Sequence, residues 1–433
     1  MMKVTRRFLI GELWIALSLG AIFLTNYIIY HQQILGTYSY YGAHSWRFVD
    51  IFFFVVFTFT SYVFLPRQIE TPIDVFSLVY SILILFGVGS YLQTLRLFSL
   101  ADFFILYLLL VFPIIFVIAS RRLTWKSLEL FVVEARERRD SLAGLVVMLL
   151  LVTLGLIFAQ WPLSFHFDDI YTIRADSEIS WFGLAPYITG ALASAFIPFL
   201  SFLAGFNKKQ SLLVVGVVLA LCMLLVAGVK GQFAYLIFSY SLGRLLGSRR
   251  STSVYKYMLL ATVFLFAVVV IEGFPSVIAE YVSRRVFVVP GVGAAAHFEL
   301  ITYTYPEVFS WLSGLAIEGS VNHIVGADVM GFHEDLNVNA NTVGYLHAFG
   351  SGGLFHYVGA IFISLLYFCL LNIFFRITND PVYIAASTSF TFAIVEQSIF
   401  TAMLSSGMAI LFILAVFRNL KLRRLVRLEV DRT

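Results

Sequence analysis

Long runs of apolar residues, separated by shorter polar stretches, dominate the pattern along this chain. A helix that crosses the hydrocarbon core of a bilayer needs about 20 apolar residues. The strands of an outer-membrane barrel would instead alternate in short segments, which excludes that class. The pattern therefore predicts an all-α polytopic integral membrane protein. About twelve transmembrane helices are expected, near residues 8–30, 48–65, 74–92, 101–119, 142–160, 185–205, 211–228, 232–246, 257–275, 354–375, 382–397 and 399–417.

The composition of the 433 residues excludes most other classes of protein. The chain is 60% hydrophobic and 12% charged, whereas a soluble domain is about half apolar and a quarter charged. A soluble enzyme, a coiled coil, a disordered scaffold and a disulfide-stapled secreted module are therefore excluded. Both cysteines, Cys222 and Cys369, lie within apolar runs, where a free cysteine behaves as a small hydrophobe. We treat residues 1–433 as a single membrane domain.

The distribution of basic residues predicts the orientation of the chain. Twelve spans place both termini on one side, and that side holds 23 of the 29 lysines and arginines. Since cytoplasmic loops carry the excess of basic residues, both termini are predicted to be cytoplasmic. The first apolar run is long enough to span and is expected to be a helix rather than a cleaved signal. The basic clusters thus serve topology, and no nucleic-acid partner is expected.

Two large loops are predicted on the outer side, at 161–184 and 276–353. A structureless loop as long as the second is uncommon in a compact protein. Patterns such as 295–316 therefore predict helices that lie on or dip into the outer face. Because the inner loops are short and basic, we expect the function to reside at the outer surface.

Six basic residues remain outside despite the inward bias: Arg47, Arg96, Arg174, Lys230, Arg284 and Arg285. The first two are expected to snorkel at helix ends. The other four are predicted to bind a diphosphate, because guanidinium groups bind phosphate oxygens through two parallel hydrogen bonds and keep their charge. Lys230 lies in a tight turn between Gly228 and Gly231, where bare backbone lets an anion approach. A local ion pair would explain Arg174 equally well, and a simple turn would explain Lys230 equally well, whereas the adjacent Arg284 and Arg285 favour anion binding over a structural pair.

Five residues are candidates for a general base: His166, His297, Asp168, Asp169 and Glu396. The pKa of histidine suits removal of a proton from a sugar hydroxyl, and both histidines lie near a candidate phosphate-binding arginine in sequence. Glu396 lies at the end of an apolar run, where a carboxylate is costly unless it faces a cavity. A structural ion pair with an outer arginine would also explain Glu396.

A polar, glycine-spaced stretch leads into the tenth predicted span. Its candidate glycan-binding residues are Asn337, Asn339, Asn341 and His347. Their side chains suit hydrogen bonds to sugar hydroxyls, although the stretch is equally typical of a cap and turn before a helix. The outer histidines lack the close spacing of a zinc site, so neither a metal nor another cofactor is expected.

Together with this layout, five local patterns make the chain resemble the O-antigen polymerases, the Wzy family of Gram-negative inner membranes. They are the 165–174 loop, the 228–233 turn, the 284–290 segment (Arg-Arg-Val-Phe-Val-Val-Pro), the 337–350 segment and Glu396-Gln397-Ser398. The resemblance implies joining of oligosaccharide repeat units, carried on undecaprenyl diphosphate, at the periplasmic face. It also implies essential outer-loop arginines, here Arg174 and either Arg284 or Arg285. A GT-C-like fold, contact with membrane lipid and a chain-length regulator of the Wzz type follow from the same resemblance.

The chemistry implied by the resemblance needs few groups. A lipid diphosphate is an activated leaving group, so arginine and lysine need only stabilise the charge that develops on it while a base activates the acceptor hydroxyl. One direct displacement would invert the anomeric centre. The closest competing function is that of the O-antigen ligase, which shares the donor but transfers to a lipid A core. The sequence is also compatible with a flippase or transporter, and with a purely structural assembly partner.

Overall fold

The computed structural model describes residues 2–35, 46–92, 99–123, 141–159, 185–227, 231–248, 253–273, 276–304, 321–326 and 343–419. These described residues form helices and the turns between them, without a strand. The predicted all-α class is thus confirmed for this part of the chain. The helices are α1 (Met2–Ile29), α2 (Phe48–Phe64), α3 (Pro72–Tyr80), α4 (Gly87–Ser90), α5 (Leu100–Ala119), α6 (Ser141–Ala159), α7 (Ala185–Ala191), α8 (Ile197–Asn207), α9 (Gln210–Ala227), α10 (Gly231–Gly247), α11 (Ser253–Glu272), α12 (Val277–Ser283), α13 (Val289–Thr304), α14 (Val321–Ile324), α15 (Gly344–Thr378), α16 (Val382–Glu396), α17 (Ile399–Leu404) and α18 (Met408–Asn419).

Six helices in the described ranges are long and apolar enough to cross a membrane. They are Leu9–Ile34, Pro72–Ser90, Leu100–Arg122, Tyr187–Asn207, Ser253–Glu272 and Gly344–Thr378. Shorter apolar helices, including α2, α9, α16 and α18, pack among them. The chain is therefore a polytopic helical membrane protein.

Several spans contain a π-helical turn, in which one additional residue widens the helix. Such turns join α3 to α4 (Ser81–Phe86), α7 to α8 (Leu192–Phe196) and α12 to α13 (Arg284–Val288), and one extends α1 (Tyr30–Ile34). Inserted π-turns are often found at functional sites. The turn that extends α1 packs against the turn that contains Arg284.

The tightest helix pair is α8 with α10, and glycines make its close approach feasible. Gly243 and Gly247 lie one turn apart on α10 and face the backbone of Phe202 and Phe206 on α8. A Cβ atom at either glycine would overlap those main-chain atoms. This small-xxx-small arrangement lets two apolar helices approach closely where no hydrophobic force drives association in lipid. The order of the contacting residues shows that α8 and α10 run parallel.

At the end of the bundle that is predicted to be cytoplasmic, two carboxylates form ion pairs with arginines. Glu12, an acidic residue within the first predicted span, accepts from the Arg67 Nε atom at 2.6 Å and from the Tyr62 hydroxyl. Asp74 begins α3 and pairs with Arg121 at 2.6 Å. Buried carboxylates need such partners because desolvation is costly. Both pairs join helices distant in sequence.

At the opposite end, Arg47 caps α2, in line with its predicted place at a helix end. Its guanidinium contacts the Asp50 carboxylate at 2.8 Å, and its backbone N–H donates to the same carboxylate at 2.9 Å. The hydrogen bond to Asp50 raises the pKa of Arg47 above its usual value. Arg47 is thus held in a local structural pair, while Arg96 lies outside the described residues.

Candidate functional site

A continuous helical rod, formed by α12, the π-turn and α13, occupies the first third of the predicted long outer loop. Small residues fill its middle, and every residue from 290 to 298 is buried. A helix buried on all sides packs within a core rather than on a surface. Helices lying on or dipping into the outer face were predicted here, and the structure encloses this part among the spans.

Two buried amides fix the start of the rod to α1. The Gln33 Nε2 atom donates to the Ser276 carbonyl at 3.0 Å, and the Ser276 N–H donates to Gln33 Oε1 at 3.1 Å. Two turns earlier along α1, Asn26 accepts a hydrogen bond from the Ser283 hydroxyl. These contacts hold both ends of α12 and therefore fix the position of Arg284, the next residue.

Arg284 forms an ion pair with Glu280 one turn earlier. The Arg284 Nε atom lies 3.0 Å from Glu280 Oε1, and the side chains are 15% and 16% exposed. The predicted phosphate-binding arginine thus has a carboxylate neighbour in a mostly buried setting, so removing either partner leaves a poorly solvated charge. Diphosphate binding by Arg284 stays a prediction. The backbone of Arg285 is described, but its side chain is outside the described part.

Glycines allow the rod to contact α4 closely. A Cβ atom on Gly291 would lie 3.0 Å from the Gly87 carbonyl oxygen and 3.1 Å from the Tyr91 ring. A larger residue would therefore push the rod away from the span that contains Gly87. This contact carries α13 into the bundle and brings its next polar side chain, His297, into the core.

His297 lies on α13 and is 1% exposed. Its Nδ1 atom is 2.9 Å from the Gly293 carbonyl oxygen, which can only accept. Nδ1 therefore carries the hydrogen, and Nε2 is the acceptor atom of the neutral ring. The ring centroid lies 6.3 Å from that of His347, with the planes tilted by 40°. Two predicted site residues that are far apart in the sequence thus lie side by side in the structure.

His347 belongs to a short helical piece that is separated from the rest of α15. The helix breaks at Gly352 and Gly353, where Gly353 adopts φ 62° and ψ −155°, a conformation that only glycine takes readily. The side chain of His356 fills the space that a Cβ atom on Gly352 would need. The piece from Gly344 to Ser351 therefore has its own direction and packs against α13.

The beginning of this piece abuts the end of α16. A Cβ atom on Gly344 would overlap the Gln397 carbonyl oxygen and lie 3.1 Å from the Ile394 carbonyl oxygen. Glu396, a predicted base candidate, lies between those two residues at the exposed end of α16. Ser406 holds the Gln397 side chain through a hydrogen bond of 3.0 Å. The predicted acidic end of α16 is thus adjacent to the segment that carries His347.

Parts of two sequence patterns, 337–350 and Glu396-Gln397-Ser398, therefore meet beside the rod, which carries a third pattern, and we call this region the junction. It consists of the rod from Val277 to Thr304, the piece from Gly344 to Ser351, and Glu396 to Ser398. Eight predicted site residues fall outside the described residues: His166, Asp168, Asp169, Arg174, Lys230, Asn337, Asn339 and Asn341.

Sequence reasoning missed the buried polar residues that assemble the junction. Asn26, Gln33, Ser276 and Ser283 lie near the ends of apolar runs, and Ser351 lies one turn after a predicted glycan-binding residue. An amide inside an apolar run is costly unless it forms hydrogen bonds, so Asn26 and Gln33 were detectable as interhelical contacts. Their partners were not, because the hydrogen bonds connect segments far apart in sequence.

Comparisons of the chain with protein-family models, with curated proteins and with solved structures find no match.

Proposed function

We propose that this protein is an O-antigen polymerase of the Wzy type, a glycosyltransferase at the periplasmic face of the Gram-negative inner membrane. It joins oligosaccharide repeat units carried on undecaprenyl diphosphate. The supporting observation is the junction, where the glycine-spaced segment contacts both the rod that carries Arg284 and the Glu396 segment. These segments carry three of the five patterns on which the sequence resemblance rests.

The order of the helix contacts agrees with the alternating helix directions that the twelve-span arrangement requires. In that arrangement, α5 and α15 form the fourth and tenth spans and must run parallel. Tyr357 on α15 donates to the Leu109 carbonyl at 2.7 Å, and Asn372 donates to the Arg121 carbonyl at 3.3 Å. From the first contact to the second, the residue numbers increase in both α5 and α15, as parallel helices require. The same holds for α8 with α10, which form the sixth and eighth spans.

The parallel direction of α5 and α15 also limits how many times the chain between α11 and α15, which includes the rod, crosses the membrane. One additional crossing between α11 and α15 would make α15 antiparallel to α5. The proposed topology therefore lets the rod enter the bundle from the outer side without crossing it. Buried helices at membrane depth are tolerated where protein encloses them, and residues 290–298 are enclosed in this way.

The proposed reaction is a direct displacement at the anomeric carbon of the growing glycan. The hydroxyl of an incoming unit attacks that carbon, and the undecaprenyl diphosphate leaves with the bonding electrons. Fixed cations, with Arg284 among the candidates, stabilise the charge that develops on the leaving oxygens. A base near the junction accepts the hydroxyl proton. The displacement inverts the anomeric configuration.

A lipopolysaccharide gel from a strain that lacks the gene tests this function. Loss of the polymer ladder, with core carrying one repeat unit retained, is expected for a polymerase. Core without any repeat would instead indicate a ligase or a flippase. Accumulation of the lipid-linked unit on the cytoplasmic side of the membrane would identify the flippase.

A further inference from the structure

The hydrogen bonds of Ser351 determine which nitrogen of His347 carries a proton. The Ser351 hydroxyl donates its single hydrogen to the His347 carbonyl oxygen at 2.8 Å. The same Oγ atom lies 3.3 Å from His347 Nδ1. Since the hydroxyl hydrogen is already donated, Oγ accepts from Nδ1, and the Nε2 atom of the neutral ring is the proton acceptor.

His297 has the same tautomer for a different reason, because its Nδ1 hydrogen is donated to the Gly293 carbonyl oxygen. The two histidines differ in exposure. His297 is 1% exposed, whereas His347 is only partly buried. Of the two, His347 is therefore the more exposed residue, and His297 is enclosed in the core.

We infer that His347 is the base of the transfer reaction and that His297 is its positioning residue. This inference rests on the proposed polymerase function. The Nε2 atom of His347 takes the proton from the acceptor hydroxyl while that oxygen bonds to the anomeric carbon. The bond from that carbon to the diphosphate breaks, and its electron pair leaves with the diphosphate. The proton on His347 is then released to water, which restores the neutral ring.

The position of His347 in the junction suits this role. It lies one helical turn from Gly344, which contacts Gln397, and its ring adjoins that of His297. The glycine break at Gly352 and Gly353 fixes the direction of the short helix that carries it. The His297 ring packs beside the His347 ring and limits the orientations that this ring can adopt.

The test uses the full-length protein in liposomes. The substrate is the lipid-linked repeat unit that accumulates in a strain lacking the gene. We expect His347→Gln to lower kcat about 100-fold or more, the usual contribution of a general base, with KM changed less than about twofold. In His347→Ala, added imidazole is expected to restore a part of the activity. The control is Lys209→Gln, an exposed residue in the turn between α8 and α9, and it should retain the wild-type rate.

The role of His297 is tested by a double-mutant cycle. His297→Gln is expected to lower kcat without raising KM, and adding it to His347→Gln should cause no further loss, because both changes affect one proton transfer. Wild-type kcat in His347→Gln, absence of imidazole rescue in a folded His347→Ala protein, or losses that multiply in the double variant would each overturn the inference. If the wild-type protein itself forms no polymer from lipid-linked units, the proposed function fails instead, whatever the histidine variants do.

Discussion

The imidazole rings of His297 and His347 lie with their centroids 6.3 Å apart, although the residues belong to separate predicted site segments. His297 follows the double-arginine segment, and His347 follows the three asparagines of the glycine-spaced segment. Their proximity brings the two described ends of the predicted long outer loop, 276–304 and 343–353, together at the junction. Arg284 lies earlier on the rod that carries His297, about 20 Å away along a continuous helix.

Variants of the Arg284–Glu280 pair distinguish a diphosphate-binding role of Arg284 from a purely structural role. Arg284→Gln should abolish the polymer ladder. It should also lower the free energy of unfolding, because Glu280 keeps a poorly solvated charge. For a completely buried pair this loss would be about 3–5 kcal/mol, and the partial exposure of both side chains makes the loss smaller. The double variant Arg284→Gln with Glu280→Gln should regain thermal stability but no ladder if Arg284 binds diphosphate. Recovery of the ladder in the double variant would assign the arginine a structural role. Melting in detergent and a lipopolysaccharide gel measure the two effects.

The Gln33 amide is expected to hold the start of the rod. Gln33→Ala leaves the buried backbone groups of Ser276 without these partners, which costs about 1–3 kcal/mol for each group that stays unsatisfied. The neighbouring Gln32 is exposed, so Gln32→Ala is the matched control and should leave stability within about 0.5 kcal/mol. Denaturant unfolding of the purified protein compares the two variants. Equal stabilities would contradict the proposed attachment.

Gly344 is expected to tolerate no side chain. In Gly344→Ala, the new Cβ atom meets the Gln397 and Ile394 carbonyl oxygens, so the short helix that carries His347 must shift. Overpacking of this kind typically costs about 1–3 kcal/mol, and we expect polymer length and rate to fall. Gly359→Ala on the same helix is the control, because its nearest neighbour is a side-chain atom of Phe400 at 3.7 Å. A normal ladder in Gly344→Ala would show that the contact is unimportant for activity.

The α8–α10 pair gives a prediction about assembly that does not depend on function. Gly243→Leu should separate the helices and lower the yield of folded protein, because its side chain would overlap the Phe202 backbone. Gly231→Leu, on the same helix with no atom of the described residues within 4 Å of an added Cβ, should have little effect. Size-exclusion profiles of the two proteins provide the measurement. Similar profiles would contradict the close packing.

Some of the candidate site was predictable, and the reason is chemical. Four of the candidates are polar residues in or beside apolar runs: His297, His347, Arg284 and Glu396. A polar group in such a position is costly unless it pairs with another group or faces a functional cavity. Their residue types alone made them candidates. What the sequence did not supply was the ion pair of Arg284 with Glu280, because opposite charges four residues apart meet only when both residues lie in one continuous helix. The predicted pattern treated that stretch as part of an outer loop.

The sequence by itself determined that this chain is helical and embedded in a membrane, because hydrocarbon requires long apolar segments whose backbone groups are satisfied within each helix. It also determined which polar residues were candidates for chemistry. Only the tertiary structure decided that the rod is buried, that His297 meets His347, and that Gly344 contacts the end of α16. Those contacts join segments far apart in the chain, and glycine and alanine permit them by leaving room for a neighbouring backbone, which no local periodicity encodes.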